Sequence, residues 1–510
     1  MFCCPGVLSP DPLLLHLNRS GALALSGLWA ALLPVVVHLL VGFGLALRVI
    51  MRRPPTGVAL AWLVLIAAVP YLGAIAYLLV GERRIGRERS RRLRELHRHF
   101  ASLLGTSRES LASQIGADHP VSAWEPVSRL GEALAVSPIV RGSQLHLFSE
   151  TDKIFAGLIG DIEAAQTSVL MEFYIWHAGG QADQVLEALI RAAGRGVRCK
   201  LLIDALGARP WWRGTQPARL RAAGVELRAA LPVGLLRTSV GRTDLRLHRK
   251  IVVIDSRLAW TGSMNLVDPR FFKQGAGVGQ WVDAMARVQG AAVVPLLATL
   301  LGDWVVETGE TPSELIRDLR LSRAAECGTA DLQVIPTGPG QSEDALLQMI
   351  VAGIHATRSE LVLTTPYLIP DDALSQALRG AALRGVNVTV ILPAKVDSFL
   401  TRHACRSYFD ELLAVGVKIR LYQGGLLHTK SIRFDRGLAM FGTVNLDRRS
   451  FWLNYEVALF VYDDDFTCRL AQLQSAYLAD CTELDPAAWG TRPFGQRLLQ
   501  NTLRLASPLL

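Results

Sequence analysis

Hydrophobic and polar positions change their rhythm twice along the chain. Near the start, residues 27–47 and 57–80 carry no Asp, Glu, Lys or Arg. Each run is close to the roughly 20 residues that an apolar helix needs to cross a bilayer. The link between them is short and polar, with Arg48, Arg52, Arg53, Pro54 and Pro55. The pattern predicts a transmembrane helical hairpin over residues 27–80, behind a terminal segment of residues 1–26. A cleaved signal is disfavoured, because the first run starts late and a second follows at once. Residues 81–125 then turn polar and basic, and are expected to form a juxtamembrane segment.

Beyond that point the rhythm becomes strand-like runs alternating with amphipathic, helix-like stretches. It also repeats. LHRKIVVIDSRLAWTGSMNL from Leu247 aligns without a gap on LHTKSIRFDRGLAMFGTVNL from Leu427, at an offset of 180 residues. Upstream the likeness is weaker but keeps its order. SVLMEFYIW from Ser168 matches ELVLTTPYLIP from Glu360, and each is followed by a helix-like stretch, an Arg-Gly-Val and an apolar strand. A repeat of this length is one folding unit copied. Strands alternating with helices predict an α/β layer architecture in each of two domains, residues 126–320 and 330–485, related by internal duplication. The first copy carries about a dozen extra residues within Leu231 to Arg246. They read as a surface loop, with a membrane-facing lip as the sharper alternative. A tail over residues 486–510 mixes apolar residues with Arg492, Arg497 and Arg504, and is expected to be amphipathic, lying on a lipid interface or packing on the domain.

Charge narrows the partners. The net charge is +9, which favours anionic partners such as nucleic acid, anionic lipid or a phosphorylated substrate. Eight arginines fall between Arg83 and Arg98, against three in the link and one, Arg19, ahead of the first run. The positive-inside rule then puts both ends and the large C-terminal portion in the cytoplasm. Beside a membrane the basic segment would also attract anionic head groups. Seven cysteines without a CxxC pattern suit free thiols in a reducing compartment. Nothing in the sequence sets an oligomeric state.

Only seven lysines occur in the chain, and two stand at equivalent places in the repeat. Those places are His248, Lys250 and Asp255 in the first copy and His428, Lys430 and Asp435 in the second. On a strand, alternate side chains share a face, so each His and its Lys project together. Neutral imidazole is a competent nucleophile near pH 7, and a second imidazole can hold a proton there. Lysine supplies a cation for phosphoryl oxygens. Ser263 and Asn265, with Thr443 and Asn445, offer further donors to a phosphate. Two half-sites face to face would make one phosphate pocket, in which one His attacks and the other protonates the leaving alcohol. No metal or other cofactor is expected, since the lysines do the neutralising. Asp255 and Asp435 lie at an odd offset of seven from their His and would face away from it on a continuous strand. Asp283 in GQWVDAMARV and Glu456 in LNYEVALF are the alternatives for orienting the imidazoles.

These residues resemble the two-copy members of the phospholipase D superfamily. The two apolar runs, YIWHAGGQADQV, TGSMNLVDPRFFKQGAGVGQWVD and GGLLHTKS…GTVNLDRRSFWLNYE narrow the resemblance to the bacterial cardiolipin synthases of the long, two-span type, over essentially the whole chain. The resemblance implies two phospholipase D-like sandwich domains around one site. It implies transfer of a phosphatidyl group between two phosphatidylglycerol molecules through a phosphatidyl-histidine, releasing glycerol. It carries the catalytic motif onto His248, Lys250, Asp255, His428, Lys430 and Asp435 without departure. The expected partners are phosphatidylglycerol, other anionic phospholipids and the bacterial inner membrane, and no nucleic acid. A membrane phospholipase D that passes the group to water would carry the same residues.

Overall fold

The computed structural model describes residues 12–54, 56–69, 71–81, 120–135, 137–232, 244–319, 327–338, 341, 344–505 and 507. They fall into two units, an N-terminal helical one and a larger one that carries the described residues from 120 onward. Residues 82–119 of the basic segment expected over residues 81–125, and most of the extra loop before the first motif, lie outside the described residues.

In the N-terminal unit a single helix runs from Pro12 to Arg52. Its Leu32–Arg52 stretch is the one described helix long and apolar enough to cross a membrane. The second charge-free run behaves differently from the expectation of one continuous span. It forms a helix over Thr56–Ala68, then a short helix over Leu72–Ala76 that ends in a π-turn over Tyr77–Gly81. The sequence supplies the reason. Pro70 offers no N–H and disfavours helical geometry in the residue before it. Beyond it Tyr71 has a φ of 61°, and the chain returns so close to the first piece that a Cβ on Gly73 would lie 2.3 Å from the Leu65 carbonyl oxygen. Val49, Ile66 and Tyr77 are the buried contacts that tie the unit together.

The larger unit contains nineteen described strands. In the first copy these are β1 (Val140–Phe148), β2 (Ser168–Phe173), β3 (Arg198–Asp204), β4 (Glu226–Ala230), β5 (Ile251–Ile254), β6 (Leu258–Gly262), β7 (Trp281–Val282) and β8 (Met285–Gly290). The second copy holds β9 (Ala330–Thr337), β10 (Glu360–Thr364), β11 (Leu368–Ile369), β12 (Asn387–Pro393), β13 (Lys418–Tyr422), β14 (Leu426–Leu427), β15 (Ser431–Phe434), β16 (Leu438–Gly442), β17 (Leu446–Asp447), β18 (Glu456–Tyr462) and β19 (Cys481–Glu483).

Fifteen of them make one sheet, in the order β19-β13-β12-β10-β15-β16-β18-β9-β1-β8-β6-β5-β2-β3-β4. Read outward from the β9–β1 junction, the two directions visit equivalent strands in the same order. The duplication is therefore topological as well as sequential, and the antiparallel β1–β9 pairing welds the copies into a continuous sheet.

Both faces of the sheet are covered, which explains the near-continuous apolar runs of the central strands. On β2, Val169, Met171 and Phe173 pack with the helices Thr151–Ala164 and Gln181–Gly194. Leu170 points the other way, into a core built on the helix Val293–Thr308 and shared with β16 and β18. In the second copy Leu361 and Leu363 join the core of the helices Ala345–Ala356 and Asp372–Leu383, while Val362 faces Tyr477 of the helix Asp464–Ala479. Helix, sheet and helix layers in each copy give the expected α/β sandwich.

Candidate active site

Each motif strand enters the site through a crossed pairing between the copies. β14 runs parallel to β7, and the His428 N–H donates to the Val282 carbonyl at 2.8 Å. Its counterpart is a parallel bridge between Leu247 and Tyr455, with the His248 N–H donating to the Tyr455 carbonyl at 2.9 Å. The residue after each of those carbonyls is a carboxylate, so each copy hands its carboxylate to the other. His248 Nδ1 lies 2.8 Å from both carboxylate oxygens of Glu456, and His428 Nδ1 lies 2.7 Å from Asp283 Oδ1. With Nδ1–H donating to the carboxylate, Nε2 carries the lone pair of each imidazole. The sequence singled out Asp283 and Glu456 for this task but does not reveal the exchange, because spacing orders residues only along their own copy.

The electrostatics tie both copies into one centre. Burial pulls His248 down to about 4, opposed by Glu456 and assisted by Lys250 and by Lys430 of the other copy. Burial and Lys430 bring His428 to about 4 as well, against Asp283, and Lys250 adds to the effect. Burial thus favours the neutral form of both imidazoles. Burial also lowers Lys250 to about 7 against the pull of Glu456 and Asp283, and lowers Lys430 well below its ordinary value. Glu456 is held below the usual carboxylate range: burial works to raise it, but His248, Lys250 and the Thr443 hydroxyl outweigh that. Asp283 is held down in the same way by His428, Lys430 and Ser263. Burial works against the positive charge of both lysines, and an entering phosphodiester adds an anion that stabilises protonated imidazole and ammonium. Each ammonium is aimed by its own strand, since Lys250 Nζ donates to the His248 carbonyl and Lys430 Nζ to the His428 carbonyl.

Other predicted residues do different work. Ser263 Oγ donates to Asp283 Oδ1 at 2.6 Å and accepts from the Ala284 N–H at 3.0 Å. Thr443 Oγ1 donates to Glu456 Oε2 at 2.6 Å and accepts from the Val457 N–H at 3.0 Å. A hydroxyl has one proton, and in this structure both residues give it to a carboxylate, where a phosphate was the expected acceptor. Asn265 Oδ1 accepts from the Ile175 N–H at 3.1 Å. Asn445 is buried with its Oδ1 unpaired.

Asp255 and Asp435, carried over as catalytic, are not brought to the imidazoles' hydrogen-bonding partners. Each sits in the turn after its motif strand, at φ 52° and 48°, a left-handed conformation that Asp tolerates better than most residues. Asp255 accepts from the N–H groups of Gln166, Thr167 and Ser168 and from the Thr167 hydroxyl. Asp435 repeats this with Arg358, Ser359 and Glu360. The odd offset of seven is thus the offset of a turn, which clamps the loop leading into the neighbouring strand.

Three features were missed by reading the sequence. Arg249 is fully buried; its guanidinium reaches Asp303, the Thr337 carbonyl at 2.8 Å and the Glu456 carbonyl at 2.9 Å, bracing the first motif against the second copy. A buried Arg inside an apolar strand was the available signal. The half-sites are also walled unequally: Tyr174 meets His248 edge-on at 5.1 Å, whereas Trp281 lies 4.4 Å from His428. Beside Trp281, Lys273 bonds Asp397 at 3.0 Å, and Asp397 also accepts from the Tyr367 hydroxyl at 3.0 Å. No local pattern in the sequence marks that cluster.

Comparison with known proteins agrees with this architecture. A family model described as "Cardiolipin synthase, PLD-like domain" matches residues 158–275 and 350–476, and one described as "Phospholipase_D-nuclease N-terminal" matches residues 42–82. The chain is 45% identical over 466 residues to cardiolipin synthase A of Edwardsiella ictaluri, covering 91% of this chain and 95% of the relative. It is 44% identical over 467 residues to cardiolipin synthase A of Erwinia tasmaniensis, covering 92% and 96%. Among solved structures, phosphatidylserine synthase of Haemophilus influenzae shares the fold, with a TM-score of 0.57 at 14% identity over 75% of this chain and 99% of that one.

Proposed function

The chain belongs to the family of PLD-like cardiolipin synthases, and on that premise we propose that it joins two phosphatidylglycerol molecules into cardiolipin and glycerol. The observation that carries the chemistry is the pair of buried imidazoles, each held at Nδ1 by a carboxylate from the other copy. One imidazole attacks phosphorus through Nε2, forming a P–N bond as the P–O bond to the glycerol head group breaks. The other, protonated in the presence of the bound anion, gives its proton to the departing alkoxide. Glycerol leaves, and the head-group hydroxyl of a second lipid gives its proton back to that imidazole. Its oxygen then attacks phosphorus and the P–N bond breaks. Lys250 and Lys430 offset the charge on the phosphoryl oxygens throughout. Asp283 and Glu456 hold each ring in one orientation and favour its protonated form when the step demands it.

The proposed setting is a bacterial inner membrane, with two passes of the N-terminal unit and the catalytic copies on the cytoplasmic side. A proline-interrupted second pass is compatible with a bilayer when neighbouring helices satisfy the loosened backbone. The eight arginines after it support the orientation. Purified protein in phosphatidylglycerol vesicles should yield cardiolipin and glycerol in equal amounts. Phosphatidic acid without cardiolipin would contradict the reading and identify water as the acceptor.

A further inference from the structure

The last described helix, Phe494–Arg504, is built inside out. Its buried position is a glutamine, Gln500, at 1% exposure, while Phe494 and Leu498 stand 78% and 55% exposed and Leu505 just beyond stands at 81%. The helix is held to the catalytic unit by polar bonds. Arg492 pairs with Asp410 and donates to Gln500 Oε1 at 2.9 Å, Arg504 pairs with Glu411 at 2.6 Å, and the Ser507 and Tyr408 hydroxyls meet at 3.3 Å. Arg497, Asn501 and Thr502 are exposed too, but a helix that buries a glutamine and leaves Phe494 and Leu498 outward departs from an ordinary surface helix, whose apolar stripe faces the core.

The exposed face has company. The helix packs beside Phe399–Arg406, whose first residues Phe399 and Leu400 are 55% and 46% exposed. Phe399 lies two residues after Asp397, which holds Lys273 and Tyr367 next to the His428 half-site. The apolar face thus begins where the wall of the candidate active site ends. Asp410 and Glu411 take up Arg492 and Arg504, and the charge left over beside the face is basic, from Arg497, Arg402 and Arg406.

We propose that this face, formed by the C-terminal helix and the start of the helix Phe399–Arg406, docks on an anionic lipid surface and brings the mouth of the active site to the bilayer. Charge complementarity selects the occupant, because arginines around an apolar centre suit anionic head groups over acyl chains. Size points the same way. A helix of 11 residues is about 16 Å long, so two such neighbours offer a few hundred Å², well short of the roughly 800 Å² per partner of a stable protein interface. Shallow insertion into a bilayer needs no such area. The inference rests on the membrane reading above and adds a second contact with lipid, separate from the N-terminal anchor.

The test places an environment-sensitive fluorophore on the full chain at Leu498→Cys or, in a second variant, Phe494→Cys, with Cys3, Cys4, Cys327, Cys468 and Cys481 changed to Ser. Leu383→Cys serves as reference: Leu383 is 71% exposed but precedes the opposite end of β12. Each protein is reconstituted into phosphatidylglycerol–phosphatidylcholine vesicles, with and without bromine on the acyl chains, and cardiolipin formation is followed in the same samples. The expected result is at least about twofold quenching by brominated lipid at 498 and 494 and almost none at 383, as for a helix seated several Å into the head-group boundary. Water exposure at 498 and 494 equal to that at 383 overturns the inference. So does shielding from water without quenching, which assigns the face to a second copy of the chain. Cardiolipin formed without quenching would sink the docking surface and leave the proposed function standing, and quenching without cardiolipin would do the reverse.

Discussion

At the scale of single residues, catalysis turns on which carboxylate serves which imidazole. Glu456→Gln should cut kcat by about 10²–10⁴-fold, as loss of the orienting carboxylate does in triads, while KM for lipid stays within a few-fold. Asp283→Asn should behave alike through His428. Steady-state kinetics on the two variants would check both, and near-native kcat in either would remove the orienting role. By contrast, Asp255→Ala should cost stability, about 1–3 kcal/mol for the lost acceptor, read as a lower unfolding midpoint with turnover per folded molecule preserved. An unchanged midpoint with abolished turnover would put Asp255 back in the chemistry. The pH profile follows from the same burial. The attacking imidazole must be neutral, so kcat/KM should fall as pH drops through about 4. Lys250 must be charged to hold the phosphate and the second imidazole must take up a proton, so kcat/KM should also fall as pH rises, with a limb no higher than about 7. A basic limb near pH 10 would contradict that assignment of Lys250. At this scale the sequence singles out His248, His428, Lys250 and Lys430, because a copied motif on a strand leaves few readings, and offers Asp283 and Glu456 as candidates from strand-like runs at a similar place after each motif. The duty of Ser263 and Thr443 is not legible there, because a hydroxyl gives its one proton to whichever acceptor the fold brings nearest.

At the scale of elements, the motif strands are braced from the far copy. Arg249 on the first motif is buried against Asp303 and the carbonyls of Thr337 and Glu456. Removing it leaves a buried carboxylate without its partner, which typically costs about 3–5 kcal/mol. Arg249→Met should therefore unfold at markedly lower denaturant, and Arg249→Met with Asp303→Leu should recover part of the loss. Equal midpoints for wild type and Arg249→Met, followed by circular dichroism, would show that the brace contributes nothing. The strands and helices of both copies are readable in advance because two covered faces force long apolar runs. Two elements are not. The second apolar run reads as one span by composition, yet Pro70 sits inside it and the helix stops at Ala68. The C-terminal tail reads as amphipathic, but composition does not tell which face the protein takes. The acids at Asp410 and Glu411 decide it by capturing Arg492 and Arg504.

At the scale of the whole catalytic unit, duplication explains both the continuous sheet and the single site. The copies meet edge to edge through β1 and β9, and again through the crossed pairings that deliver each imidazole to the other copy's carboxylate. The repeat at an offset of 180 residues predicts two equivalent half-sites but leaves open whether they work apart or together, since that depends on contacts between copies. The most direct test of the central claim is the stoichiometry of the covalent intermediate. Protein mixed with labelled phosphatidylglycerol, quenched early and digested for mass spectrometry, should carry at most one phosphatidyl group per chain, on His248 or on His428 and never on both at once. Two groups per chain would mean two independent sites and would contradict the account.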